Sequence, residues 1–544
     1  MRSVVLVFLG AVCLSCGGGG GSSNNAPAPP PVPPTAIAVL DALPSASANM
    51  VDANTGRAAL AHLSYADLDL ADQSDCTRTL TIARQLVDVS DPEQSRLLDH
   101  KYNCSGLSQN SSVEFSLTGS RTDGSDYEVS SGFATATAST AGLVSQDSVG
   151  VTQAEIQAVF LNYLASQLLA DLDLPPAVAL VLGGAIINLA NEWVQLQNPG
   201  PIYNVVAERM SYLSADPNGN AADTATGLVV WPDVGGASFT PKSSVVILAH
   251  ATGSTPSDLD PTNAWFMTAL VLASRGYVVI APDNWGRGGT ATDAETYLLA
   301  NRTAANAIDL LEQALTAPQW QDLLPTDPSA TIVGYSQGGH SAVAIWQNLL
   351  AHQVIQVDRV FAGGGPYDLY QTFRGVVEFV DGSCSGGVYC RYVDEETTLP
   401  FVTERVLPGL LAYTNTGLVE SDITTGGVIE SAFVDDFLAD QSRIDALKGI
   451  LQLSSFSNIT NLAELTAGAG SEFILYHSNF DRLVPAANND ALTAVLSGQV
   501  AVDDRSALCN TATYQTIFNT TAIVGISHAL CGFAMIDDVL TELP

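Results

Sequence analysis

The sequence predicts an α/β fold: a mostly parallel sheet covered by helices, carrying a cap or lid insertion and preceded by a small unit that contains strands. Three observations predict it. From about residue 201, apolar β-branched runs alternate with helical patterns, as in parallel strands buried on both faces. The stretch TIVGYSQGGHSA, residues 331–342, joins a strand to a helix through glycines placed around one serine. Between FAGGGPYDLY and EFILYH lies an insertion with helical patterns.

A chain of 544 residues exceeds the usual single-domain size, so two or more folded units are expected. A hydrophobic fraction of 47% supplies a large core and excludes disorder of the whole chain. Lys+Arg total 20 against 56 Asp+Glu, for a net charge of −36. So acidic a surface repels phosphate backbones and anionic headgroups, which argues against a nucleic-acid partner.

The amino terminus reads as an address. Arg2 precedes the apolar run VVLVFLGAVCL, too short to span a bilayer, and the run ends at LSCGGGG. This junction over residues 1–16 resembles a bacterial lipoprotein signal, which implies lipidation of Cys16 after Ser15 and a membrane anchor. Cys13 stands where that pattern normally has leucine. The alternative is an ordinary secretory signal, and either places the protein outside the cytoplasm. Residues 17–35 are a tether of Gly, Ser, Asn and Pro, flexible and then stiff. Residues 36–150 form a small unit of unknown role with alternating runs such as VEFSLTG and YEVSSGFATATA. Residues 151–200 read as helices, buried or interfacial rather than membrane-spanning. No fixed-period repeat is found.

Eight cysteines are present, and outside Cys13 and Cys16 the remainder is even in number. Nearest neighbours would pair Cys76–Cys104, Cys384–Cys390 and Cys509–Cys531, the alternative being free buried thiols. No cysteine or histidine spacing matches a zinc site.

The part from 201 to 544 carries the chemistry. Its apolar runs are GLVVWP, SSVVILAH, YVVIAPD, ATIVGYS, VDRVFAGGG, EFILYH and TAIVGIS, and reactive groups in such sheets gather at the strands' carboxyl ends. Ser336 follows ATIVGY and precedes HSAVAIWQNLLAHQ, the strand–turn–helix context that gives G-x-S-x-G its meaning as a nucleophile elbow. Gly334 and Gly338 let the turn close, and the helix start aims its amides at developing negative charge. A serine needs a base. Of seven histidines, His352 ends the elbow helix, His477 ends EFILYH, and His340 belongs on the elbow helix. His528, in ISHALCG after TAIVGIS, comes late enough to be the base. Asp481 in HSNFDRLVP is the candidate acid, Asp490 falling in a helical pattern and Asp503 and Asp504 in a solvated one. An oxyanion hole would use the N–H of Gln337 and one from AHATGST, Thr252 in preference to Ala251.

GYSQGG, the HATG loop, GYVVIAPDNWGRGG, FAGGGPYDL and HSNFDRLVP resemble the alpha/beta-hydrolase superfamily. With YLSADPNGNAADTATGLVVWP they resemble its secretory lipase and esterase branch, over about residues 203–544. The resemblance implies the alpha/beta-hydrolase fold and serine hydrolysis of carboxylic esters by Ser336, Asp481 and His528. Ala251 stands where relatives commonly carry glycine. The insertion, at about 370–470, is placed as a cap or lid over the site, the alternative being a structural insertion. The substrate would be a small-molecule or lipid ester, with no metal and no organic cofactor. Alternatives on the same triad are a prolyl-oligopeptidase-like peptidase, an acyltransferase or a polyester depolymerase; outside enzymes, a binding module. No propeller-like repeat precedes the catalytic part.

Cys16→Ser is expected to move the protein from the membrane to the soluble fraction with its specific activity unchanged. Fractionation checks this, and an unaltered protein already wholly soluble ends the lipoprotein reading.

Overall fold

A computed structural model describes residues 58–64, 76–90, 95–104, 112–120, 126–134, 143–162, 203–217, 221–235, 239–352, 355–384, 387–390, 399–414, 416–466, 470–512, 514–515 and 526–543. The candidate signal, Cys16, the tether and most of 151–200 lie outside them.

The strand Ser244–Ala249 is buried along its whole length, and so it runs through the middle of a sheet. In chain order the sheet strands are β1 (Ala58–Ser64), β2 (Cys76–Gln85), β3 (Arg96–Cys104), β4 (Ser112–Ser120), β5 (Asp126–Ala134), β6 (Val144–Val151), β7 (Asn204–Ala215) and β8 (Ala221–Asp233). Then follow β9 (Ser244–Ala249), β10 (Val279–Pro282), β11 (Ser329–Tyr335), β12 (Gln356–Gly363), β13 (Thr424–Thr425), β14 (Val428–Ile429), β15 (Glu472–Tyr476) and β16 (Ala501–Asp504). Nine of them form one sheet in the order β16-β15-β12-β11-β9-β10-β8-β7-β6. Pairing is parallel from β16 to β10 and antiparallel through β8, β7 and β6. This is the mostly parallel sheet that the sequence predicts.

Side-chain alternation along each strand feeds two cores. Val246 and Leu248 of β9, Val333 of β11 and Phe361 of β12 face one core, closed by helices α2 (Ala264–Ser274) and α10 (Ile526–Glu542). Val245, Ile247, Ile332 and Val360 face the other, closed by α3 (Ala300–Thr316), α4 (Gln337–His352) and α9 (Ala487–Leu496). α1 (Gln153–Asn162) contributes Ile156 to the first core.

Between β12 and β15 the chain builds a helical insertion with its own core. It includes α5 (Leu369–Asp381), α6 (Leu407–Tyr413), α7 (Ser431–Leu438) and α8 (Asp445–Leu453), joined by a π-helical turn over Phe401–Val406. Phe373, Phe433 and Phe437 pack together there, and Tyr297, Leu298 and Leu299 of the β10–α3 loop join that core.

Two strands escape the sequence patterns. β6 ends at Val151 and so falls almost wholly within the stretch assigned to the N-terminal unit, yet it is the last strand of the central sheet. It is almost wholly exposed, and an edge strand with wet faces carries no apolar alternation. β16, which includes Asp503 and Asp504, is likewise a partly exposed edge strand rather than a loop.

β1, β2 and β3 make a separate three-stranded sheet, and β4 and β5 a hairpin. In β2–β3 Cys76 and Cys104 are register partners; their side chains lie outside the described residues. β2 docks on the segment after α8: Gln85 N–H donates to Asn458 O (2.8 Å) and Thr460 N–H to Ala83 O (2.8 Å). Beneath it, buried Arg84 donates to the Ser455 carbonyl, to Asn458 Oδ1 (3.1 Å) and to Gln347 Oε1 of α4 (3.2 Å). Burial lowers its pKa to about 10 against the pull of Asp99. Asp99 pairs with Lys101 (3.1 Å), which also donates to Asn301 of α3 (2.8 Å).

His340, fully buried on α4, bonds through Nε2 to Ser454 O (2.7 Å) and stacks near Phe456. Burial lowers its pKa to about 4. Because the folded value lies below the free one, its stabilising contribution is complete above pH ~6.5 and is lost on acidification toward pH ~4, about 3 kcal/mol in all. Buried His477 shifts in the same direction. His340→Gln, which keeps a donor for Ser454, is expected to flatten the dependence of Tm on pH across that window. Calorimetry from pH ~7 to pH ~4 checks it, and parallel slopes for the two proteins end the assignment.

Candidate active site

β11 runs straight into Ser336, whose φ is 60°. A side chain in the left-handed region costs on the order of 1–2 kcal/mol and persists only where neighbours enforce it. They do so through the backbone. Ser336 N–H donates to Gly363 O at the end of β12 (2.8 Å), and Ser336 O accepts from the N–H groups of Gly339 (2.9 Å) and His340 (3.2 Å). A Cβ at Gly334 would overlap the Gly338 carbonyl, and one at Gly338 the carbonyl oxygen of Ala249. Both glycines are therefore steric requirements. The second also brings the loop after β9 against the turn.

Asp481 follows β15 in a tight turn, its N–H donating to Ser478 O (3.1 Å). Its Oδ1 accepts from the N–H groups of Leu483 and Val484 (2.9 Å each), and its Oδ2 from His528 Nδ1 (2.5 Å). Burial alone would raise its pKa, but His528, His477 and the Val484 amide hold it below the ordinary carboxylate value. With Nδ1–H given to Asp481, His528 keeps a lone pair on Nε2, a buried atom without a partner among the described residues. Gly364 lies against His528, since a Cβ there would come to 3.1 Å from His528 Cε1.

His528 does not stand in a loop, as the sequence suggested. It occupies the first turn of α10, and residues 521–525 lie outside the described ones. Ser527 Oγ donates to Phe480 O (2.7 Å), and Tyr335 OH to His528 O (2.6 Å). One turn further on, Cys531 is bonded to Cys509, with a Cα separation of 4.6 Å.

The remaining histidines have other partners. His477 Nε2 donates to Val484 O (2.9 Å) beside Asp481, and burial lowers its pKa against the pull of Asp481. His250 bridges the Ala251 and Asp283 carbonyls (3.0 Å each). The side chain of His352 lies outside the described residues.

Gln337 is buried and opens α4, so its N–H is one of the amides at a helix start that lack an intrahelical acceptor. Ala251 and Thr252 are buried in the loop beside the elbow. Thr252 Oγ1 shares a hydrogen bond with Tyr297 OH (2.8 Å), and Gln337 Nε2 donates to Glu295 Oε1 (2.7 Å). Nothing in TDAETYLL singled out Glu295 or Tyr297 in the sequence. Of the three candidate catalytic residues, Asp481 and His528 are joined directly, whereas no hydrogen bond joins Ser336 Oγ to His528 Nε2. Among the described residues no His, Cys, Asp and Glu cluster could hold a metal, and no helix is long and apolar enough to cross a membrane. Cys384–Cys390 and Cys509–Cys531 indicate an oxidising, extracytoplasmic environment.

A family model described as the alpha/beta hydrolase family matches residues 246–504. No curated protein matches the chain by sequence. Among solved structures, the chain is similar to a candidate hydrolase from Legionella pneumophila (16% identity, 74% of this chain and 98% of that one, TM-score 0.49). It is also similar to the rice cell wall degrading esterase LipA from Xanthomonas oryzae (17%, 73% and 97%, 0.46) and to lipase A from Candida antarctica (14%, 62% and 86%, 0.35). Likenesses this low carry no argument about substrate.

Cys509→Ser/Cys531→Ser is expected to lose turnover well before it loses global folding. The closed loop contributes about 3 kcal/mol in the chain-entropy model, whereas a shift of about 1 Å in His528 can cost on the order of a hundredfold in rate. Ester hydrolysis measured beside urea unfolding checks this, and full turnover in the double variant ends the idea.

Proposed function

We propose that this chain is an alpha/beta hydrolase, and within that fold a serine hydrolase of carboxylic esters, working through a covalent acyl-enzyme. Ser336 Oγ attacks the ester carbonyl while His528 Nε2 takes its proton. Asp481 holds the imidazole in the required tautomer and offsets its charge as it becomes imidazolium. The N–H groups of Gln337 and Thr252, or Ala251 in place of Thr252, receive the oxyanion. Collapse of the tetrahedral intermediate expels the alcohol, which takes the proton from His528. Water, activated by the same nitrogen, then releases the acid and restores Ser336.

One observation supports this above all. The Asp481–His528 bond leaves a buried Nε2 without a partner, in a fold whose elbow holds Ser336 at φ 60°. Buried His340 and His477 likewise leave one ring nitrogen without a partner; what sets His528 apart is its short bond to a buried carboxylate, which fixes an imidazole's tautomer for proton transfer. The reading extends to location: an exported protein, anchored at Cys16 or secreted, in keeping with its disulfides. The insertion over residues 370–470 is proposed as the cap that shapes the acyl or alcohol site.

A fluorophosphonate probe is expected to label the wild type and not Ser336→Ala, with kcat on a nitrophenyl ester falling on the order of 10⁴-fold or more. Asp481→Asn should lower kcat by about 10⁴-fold while leaving the fold intact. A panel of nitrophenyl esters from acetate to palmitate, an aminoacyl-anilide and a polyester film separates esterase, lipase, peptidase and depolymerase. Equal labelling of wild type and Ser336→Ala sinks the assignment.

A further inference from the structure

The loop between β10 and α3 carries two polar side chains that the reaction above leaves unused. We infer that Glu295 and Tyr297 are positioning residues for the oxyanion hole, and that the cap segment 401–413 sets its geometry through them. The inference rests on the serine-hydrolase reading of the site.

The two donors stand on different elements, Gln337 on α4 and Thr252 on the loop after β9, and one short segment holds both. Glu295 Oε1 accepts from Gln337 Nε2 (2.7 Å) and Oε2 from Arg287 Nε (3.0 Å). Two residues on, the hydroxyl of Tyr297 shares its hydrogen bond with Thr252 Oγ1 (2.8 Å). Tyr297 is 4% exposed. Burial pushes its hydroxyl pKa well up, so that it stays a neutral partner for Thr252.

The support itself is stiff. Thr296 N–H donates to Trp285 O (3.0 Å), Trp285 Nε1 to Asp293 Oδ2 (3.0 Å) and Gly286 N–H to Thr290 Oγ1 (2.9 Å). Leu298, beside Tyr297, is held at φ 57° while 1% exposed, a conformation that only over-determined surroundings keep.

The cap grips this loop at the same residues. Tyr413 OH donates to Ala294 O (2.7 Å), and the rings of Phe401 and Tyr297 meet edge to face at 6.0 Å. A Cβ on Gly409 would overlap the Glu295 carbonyl oxygen. A displacement of the cap therefore reaches Glu295 and Tyr297 first, and through them both donors. Misplacing a reacting group by about 1 Å costs on the order of a hundredfold.

The test uses wild type, Tyr297→Phe, Glu295→Gln and Glu295→Ala. Active sites are titrated with a fluorophosphonate, and kcat and KM for nitrophenyl butyrate are expressed per titrated site. Inhibition by an aryl boronic acid, whose tetrahedral serine adduct needs the same donors, is measured alongside. In Tyr297→Phe, kcat per site is expected to fall about tenfold or more with KM within about twofold, and boronate affinity to fall in parallel. Glu295→Gln keeps an acceptor for Gln337 and should lose less than Glu295→Ala. A purely structural role would lower the number of titrated sites and leave kcat per site unchanged, and that result overturns the inference alone. A wild type that neither takes the label nor cleaves the ester overturns this inference together with the reading beneath it.

Discussion

The approach of Gly338 to the carbonyl oxygen of Ala249 is the contact on which the rest of the site depends. It is possible only because no Cβ intervenes, and it presses the start of α4 against the end of β9. From it follow the turn at Ser336, the placing of that residue at the end of β11, and the nearness of the β9 loop to the first amide of the helix. The adjoining strand completes the arrangement, since Gly363 at the end of β12 accepts from Ser336 N–H. Backbone groups of three parallel strands and one helix thus define where a nucleophile would sit. No surface side chain takes part in that definition.

How much of this the sequence declares depends on whether a feature is written in the backbone or in side-chain contacts. The elbow was legible because its glycines are forced by sterics at fixed spacing. Asp481 was legible because it follows a continuous apolar strand, β15, whose end is marked. His528 was found by its order in the chain, but its setting was misread: TAIVGIS looks like a strand, whereas Ile526 onward is helical. β6 and β16 were missed because exposed edges need no apolar pattern. Glu295 and Tyr297 left no trace, because their partners lie far away in sequence and a bond to such a partner imposes no local periodicity.

The N-terminal sheet raises a different physical question. Arg84, Asp99 and Lys101 are buried to within 1% of full burial where β2 and β3 meet α3, α4 and the end of the cap. Desolvating three charges is costly, and apolar residues in their place could pack as well. What the charges add is directionality. Arg84 must meet the Ser455 carbonyl, Asn458 and Gln347 together, and Lys101 must meet Asn301, so the sheet can dock in one register only. Its docking also braces the segment at Ser454, whose carbonyl accepts from His340 on the elbow helix. The sheet is therefore connected to the site through two hydrogen-bonded steps.

The site is consequently held by two kinds of constraint. Ser336 and Asp481 are fixed by main-chain hydrogen bonds, and His528 by its helix, by Tyr335 and by the bond from Cys531 to Cys509. These depend little on which side chains cover the sheet. The loop bearing Thr252, by contrast, is tied down through a side-chain hydroxyl to Tyr297, beneath helices that belong to the insertion. A change in the insertion can therefore reach the loop bearing Thr252 through Tyr297 without passing through Ser336 or His528. The insertion and the elbow are thus separately built parts of the molecule, joined at the loop between β10 and α3.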